Sequence, residues 1–330
     1  MPIPPYHTLS EDERLERVRA LARKALAAYG LQDAQLSCLR GGERPLLKVI
    51  DASGSRFALR LWPADQATAS LDRELHWLTA LRRDTGLHIP EPILSTAGEW
   101  IGRVAMAGVP GFRSVVLLRW VDGRFFDSQL SLPRMRGVGA FLARLHGHGK
   151  VYASAHRQPS LQEGSKPNTP AELPELVAPL EDGSCWKALS NSVRALGERA
   201  TPQLLAAIAR VRTPAGRGMI HGAAHQKHYL FHDVQVGMIG FAACRIGHPL
   251  EDLASVCRHL SGREGYTDLR EALLEGFSRA GADPTITSVE IEAIAAAQLL
   301  GAASAIPMPG TRARQVSALT QHLENTFAAG

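Results

Sequence analysis

The chain has 330 residues, 45% hydrophobic and 21% charged, which is enough apolar material for one large or two smaller packed domains and excludes a disordered chain. Lys and Arg number 37 against 32 Asp and Glu, a net charge of +5 spread over the whole length, so no nucleic acid is expected as a partner. No run approaches the roughly 20 apolar residues of a membrane span.

Met1 to His7 lacks the basic-then-apolar pattern of a secretion signal. Cys38, Cys185, Cys244 and Cys257 form no C-x-x-C pair and no metal spacing, so reduced, mostly buried thiols are expected. Together these features predict a cytoplasmic protein with no membrane partner.

In chain order, Ser10 followed by Glu13 fits a capping box, and Leu15, Val18, Leu21, Ala22, Ala25 and Leu26 recur at helical spacing up to Gly30. Short β-like runs follow at Leu46–Ile50 and Phe57–Leu61, joined by the turn Asp51–Ser55. Helical period returns from about Gln66 to Arg83, with Leu71, Leu75, Leu78 and Leu81 on one side. Val115–Leu118 reads as a buried strand that ends at Arg119-Trp-Val-Asp-Gly123. From Pro133 onward the pattern is helical, apart from a polar, Pro-rich loop at about 153–175 and a small hairpin from Tyr229 to Gly240. An α+β protein is expected, with a small β-rich half before a larger helical half and no internal repeat.

Three stretches carry more specific information: His221-Gly-Ala-Ala-His225-Gln-Lys-His228-Tyr-Leu-Phe231, Met238-Ile-Gly-Phe-Ala-Ala-Cys244 and Pro249-Leu-Glu-Asp-Leu-Ala254. In that order they resemble the aminoglycoside phosphotransferase and choline kinase-like family, whose catalytic loop reads H-G/A-D-x-H-x-x-N. In that family a hydrophobic hairpin, an I-D-F-D motif and a helix carrying D-L-A then follow. Upstream landmarks agree. Phe57-Ala-Leu-Arg60 stands where kinases carry V-A-I-K, Glu74 where the ion-pair glutamate belongs, and Phe141-Leu-Ala-Arg-Leu-His146 resembles the helix after the hinge. The resemblance implies a bilobal, protein-kinase-like fold. A five-stranded antiparallel-sheet N-lobe with the N-terminal helix would span 1–118, a hinge 119–124 and a helical C-lobe 125–330. Arg60, Glu74, Trp120 and Val121 would then stand at the nucleotide-binding positions.

The same resemblance marks what is missing. The aspartate that orients and deprotonates the attacking hydroxyl is replaced by Ala223. The asparagine and aspartate that hold the metal ions are His228 and Gly240, and the second aspartate of I-D-F-D is Ala242. Imidazole is a poor ligand for Mg²⁺ and glycine offers no side chain. His221, His225, Tyr229, Leu230, Phe231, Ile239, Phe241 and Asp252 all match the family scaffold. A kept scaffold with all three chemical positions lost points to a degenerate, non-catalytic member.

Several roles stay open at this stage. Arg60 either contacts a phosphate or only pairs with Glu74. Trp120 and Val121 either present backbone groups to a base or simply pack. Gly41 and Gly42 are adjacent rather than spaced, and Pro45 removes a backbone donor, so phosphate cradling there is disfavoured. His221, His225, His228 and His232 imitate a helical metal spacing, but in the family pattern they span a loop and a hairpin, and no metal is expected. Lys227 is either solvated or placed to neutralise an anion. Three functions follow in order of preference: a binding module for an unknown small molecule or partner protein, an active phosphotransferase using another carboxylate such as Glu251 or Asp233, and a metal-dependent activity of the histidines. No cofactor is required, and ATP, where it binds, should bind weakly and without regard to Mg²⁺.

Overall fold

The structure, a computed structural model, describes residues 4–42, 44–63, 68–126, 130–156, 173–187, 189–211, 216–233, 235–281, 288–305 and 316–324. The chain divides into two compact units, Met1–Arg83 with Ile89–Val121, and Asp84–His88 with Asp122–Gly330. Among the described residues no helix is long and apolar enough to cross a membrane. All four cysteines are free thiols.

In the first unit, helix α1 (Glu11–Leu26) starts on the expected capping box: Ser10 Oγ accepts from the Glu13 N–H, and the Glu13 carboxylate accepts from the Ser10 N–H. Six strands form its sheet: β1 (Gln35–Arg40), β2 (Leu46–Ile50), β3 (Arg56–Pro63), β4 (Pro92–Ile93), β5 (Gly102–Ala105) and β6 (Phe112–Arg119). Their order is β1-β2-β3-β6-β4, β5 also pairs with β6, and every pair is antiparallel. The sheet thus has one strand more than the five expected. Three strands went unread in the sequence: β4 and β5 have only two and four residues, too few for alternation to register, and β1, at the end of the strand order, buries none of its residues fully.

Register explains which face is buried. Leu47 pairs with Leu59 and Leu59 with Leu117, so the three leucines form one row across the sheet. They join Val49, Leu61 and Val115 in a core with Leu21, Ala22, Ala25 and Leu26 of α1. Each such side chain removed from water contributes about 2 kcal/mol. Because strand side chains alternate, Arg60 lies on the opposite face of β3, opposite Val116 on β6. Helix α2 (Thr68–Asp84) buries Leu71, Leu75, Leu78 and Leu81 as its spacing predicts, together with Trp77. The expected start at Gln66 lies outside the described residues.

The second unit is mainly helical: α3 (Leu132–Ala155), α4 (Leu173–Glu181), α5 (Asn191–Val211), α6 (Pro249–Leu260), α7 (Tyr266–Arg279), α8 (Ser288–Ala305) and α9 (316–324). The loop expected at about 153–175 is helical at both ends, in α3 and α4, and 157–172 lie outside the described residues. Helices α3 and α7 cross at paired glycine notches. A Cβ on Gly139 would lie 2.0 Å from the Leu273 carbonyl, and one on Gly276 would lie 2.0 Å from that of Arg136. Where α7, α8 and α9 meet, the buried Glu292 carboxylate accepts from Tyr266 Oη at 2.5 Å, Arg270 Nη1 at 2.8 Å and His322 Nδ1. A buried carboxylate is tolerated when its lone pairs are filled in this way.

The short strands of this unit carry the distinctive motifs. Strands β7 (Gly218–Ile220) and β10 (Arg245–Gly247) pair antiparallel, and β8 (Tyr229–His232) and β9 (Gln235–Met238) form the expected hairpin. Asp233, in its turn, has φ 51°.

Candidate functional site

In the first unit, Arg60 Nη1 donates to Glu74 Oε1 at 2.6 Å, and Glu74 is buried. The guanidinium also lies 4.9 Å from the Trp62 ring centre. The Trp120 N–H donates to the Arg56 carbonyl at 3.0 Å, so that donor is already in use, and the Val121 side chain is buried. Gly41 and Gly42 lie between β1 and β2, and Glu43 falls outside the described residues. Nearby, the Pro45 carbonyl accepts from the Leu61 N–H at 3.2 Å, which ties the end of this loop to β3.

In the second unit the three altered positions meet. Gly240 has φ +83°, and a Cβ built on it would lie 2.6 Å from Cδ2 and 2.7 Å from Nε2 of His228. The imidazole therefore occupies the place where a side chain on residue 240 would begin. On the same ring, Nδ1 lies 2.7 Å from the Ala223 carbonyl oxygen. A carbonyl only accepts, so Nδ1 carries the proton. The loop also fixes the main chain of residue 228, since the His228 N–H donates to the His225 carbonyl and the Ile239 N–H donates to the His228 carbonyl.

His228 belongs to a column of rings. His225 stacks on it at 4.1 Å and on His259 at 4.6 Å, and His221 tilts against His228 at 5.4 Å. Burial, followed by the charges of His228, His259, His221 and Arg258, holds His225 down to about 2. Burial is also the main cause of the fall of His221 and His259, each to about 4; His228 adds to the first and Arg258 to the second. His221, His225 and His259 are therefore neutral at pH 7. Asp252 anchors the loop beneath them. Its carboxylate accepts from the His221 and Gly222 N–H groups, both at 2.8 Å, and from His146 Nε2 at 2.9 Å. Burial alone would raise this carboxyl, but its bond with His146 and the nearby imidazoles outweigh that and bring it below the usual carboxylate value.

The two carboxylates considered as substitutes for the lost base are placed for other tasks. Glu251 is buried, accepts from Arg245 Nη2 at 2.9 Å and caps α6 through the His248 N–H at 2.7 Å. Burial, only partly offset by Arg245, pushes it up. The Asp233 side chain is 90% exposed on the hairpin turn, beside the exposed His232.

Mg²⁺ does not fit this donor set. The position that should offer a carboxylate is blocked by an imidazole, and the surrounding groups are neutral rings, Arg258 and Lys227. Nor do the histidines form a softer metal site, because face-to-face rings aim their in-plane nitrogens past one another. Among the described residues no group of three or more His, Cys, Asp or Glu side chains could hold a metal ion. His259 and Arg258 escaped the sequence reading. A signal existed for His259 alone, which lies seven residues after Asp252, two helical turns along the same face of α6.

Two expectations follow. Gly240→Asp should cost about 2–3 kcal/mol in urea unfolding, from the positive φ and from collision with the ring. In a His228→Asn background the cost should fall by at least about 1 kcal/mol, a coupling that a double-mutant cycle reads directly.

The second concerns pH. His221, His225 and His259 have folded values below the ordinary 6.5, so their contribution is complete above that pH. Below it the unfolded chain binds protons that the folded rings refuse, and stability falls as the pH drops toward 4 by about 1 kcal/mol per pH unit for each ring. Glu251, with its raised value, acts in the opposite sense but is a single group. The thermal midpoint should therefore fall between pH 7 and pH 5, and fall less in the His225→Gln, His259→Gln double variant.

Comparison with known proteins agrees with this architecture. The model of the phosphotransferase enzyme family matches residues 39–289. None of the curated proteins matches the chain in sequence. Among solved structures, a microcompartment-associated aminopropanol kinase is 20% identical with a TM-score of 0.67, over 92% of this chain and 95% of its own. The amicoumacin kinase hAmiN, in complex with AMP-PNP, Ca²⁺ and Ami, is 14% identical with a TM-score of 0.64, over 96% and 97%. The macrolide 2′-phosphotransferase MphH from Brachybacterium faecium is 16% identical with a TM-score of 0.61, over 92% and 98%. At these identities the structural likeness concerns the fold, and it is the kinase-like α+β fold expected. The family match spans most of the sequence, and on that ground the chain belongs to the phosphotransferase enzyme family.

Proposed function

We propose that this chain is a non-catalytic member of its family, a kinase-fold binding module for a small ligand or a partner protein. The observation that carries the reading is the His228 ring, which fills the place of the metal-binding carboxylate at residue 240 and is fixed to the backbone at the position of the lost base. General-base catalysis contributes a rate factor of about 10²–10⁴, and Ala223 has no group to supply it. Phosphoryl transfer also relies on metal ions to neutralise the equatorial oxygens, and here the neighbouring groups repel a cation. Glu251 is bound to Arg245 and to a helix cap, which argues against its use as a replacement base. ATP affinity should be weak and indifferent to Mg²⁺, because the bridge that normally adds affinity has no seat.

Phosphate release from ATP, measured over Mg²⁺ and Mn²⁺ series against a heat-killed control, should stay at background. Ala223→Asp alone should not rescue it, nor should Gly240→Asp alone, because residues that act as one catalytic unit are strongly non-additive. The triple variant Ala223→Asp, His228→Asn, Gly240→Asp removes the obstructing ring as well and is the variant in which hydrolysis should first appear. Turnover by the unmodified protein that saturates with ATP would overturn the reading in favour of an active phosphotransferase with a non-standard carboxylate.

A further inference from the structure

The first unit holds a pocket of about 400 Å³ between the last two turns of α2 and the segment 91–100, which includes β4. Arg82 and Arg83 line it from the helix, and Glu91, Pro92, Leu94 and Trp100 line it from the other side. Sites for small molecules occupy roughly 300–1,000 Å³, so the volume suits one compact ligand.

The two sides differ in character. Leu94 is 51% exposed and Trp100 is half-buried, so both keep apolar surface in water. The Trp100 ring meets His76 of α2 edge-on, with ring centres 5.0 Å apart, and Pro92 has no N–H to offer a ligand. The helix side is cationic. Arg119 Nε donates to Glu91 Oε2 at 2.9 Å, which compensates that carboxylate. Arg82 Nη2 reaches the same oxygen only at 4.0 Å, beyond hydrogen-bonding distance, and Arg82 makes no hydrogen bond among the described residues. Its side chain is 41% exposed, so an anion can reach the guanidinium fork. Arg83 adds a second positive charge to the same wall. Asp84, which ends α2, is engaged by His148 Nε2 at 3.2 Å. The carbonyl end of the helix offsets about half a charge, which leaves the balance positive.

We propose that this pocket binds a small apolar carboxylate, an aryl- or branched-chain acid, with its carboxylate on Arg82 and its apolar group against Leu94 and Trp100. A carboxylate matches the guanidinium fork in a two-point, charge-assisted contact. The ring or branched chain then covers the surface that Leu94 and Trp100 leave in water. A neutral apolar ligand leaves Arg82 unused, and a small inorganic anion leaves the apolar wall wet, so the pairing favours a ligand that carries both parts. The site lies outside the altered loop and stands whether or not the chain transfers phosphate.

Calorimetric titration of the full chain with 3-phenylpropionate, its neutral amide and acetate tests the assignment, with thermal midpoints confirming that each variant folds. The acid should bind with saturation, the amide at least about tenfold more weakly, the effect of one charge-assisted contact, and acetate not at all over the same range. Arg82→Gln should likewise lose about tenfold in affinity for the acid, and Leu94→Asp should abolish its binding; both positions are exposed, so neither change disturbs a packed core. No saturable binding of the acid, equal affinity for acid and amide, or binding of acetate as tight as that of the acid would overturn the site. So would an affinity unchanged in either variant.

Discussion

The His228 ring lies where a side chain on residue 240 would begin and donates its Nδ1 proton to the carbonyl of Ala223. This contact joins three of the positions at which the chain departs from the family motif, Ala223, His228 and Gly240, in one packed arrangement. A glycine at 240 makes room for the ring, with a backbone conformation that other residues adopt only under strain. The ring then supports the stack of His225 and His259. Desolvation keeps these imidazoles neutral, and a neutral column beside Arg258 and Lys227 leaves nothing that attracts a divalent cation.

The retained motif residues have structural reasons to persist. Asp252 holds the His221–Gly222 backbone and His146 from a fully buried position. Arg245 and Glu251 form a buried pair, and Arg245 also reaches the Gly222 carbonyl. Removing one partner of such a pair costs about 3–5 kcal/mol because the other charge is left without compensation. The Arg60–Glu74 pair in the first unit has the same character, with Glu74 1% exposed. Residues of this kind serve the fold whether or not phosphate is transferred.

Legibility in the sequence follows from length and periodicity. The α1 cap, the alternating strands β2 and β3 and the leucine face of α2 were readable because each repeats its signal over several residues. The strands β4 and β5 were not, because pairing with β6 rather than local pattern makes them strands. The departures from the family motif at Ala223, His228 and Gly240 were visible in a recognisable frame. What no sequence pattern conveyed is that His228 fills the vacancy at Gly240, a contact set by the tertiary path of the loop. The spacing of His259 from Asp252 showed which face of α6 it shares, but not that the packing of α6 against the loop brings it onto His225.

The central claim is that an imidazole has replaced the metal seat, and paramagnetic broadening tests it at the ring itself. Histidine-selective NMR spectra of the full chain, titrated with Mn²⁺, should show no saturable broadening of the His221, His225 and His228 signals. Saturable broadening confined to those rings, lost in His228→Asn, would mean that a divalent cation binds there after all, and would contradict the account.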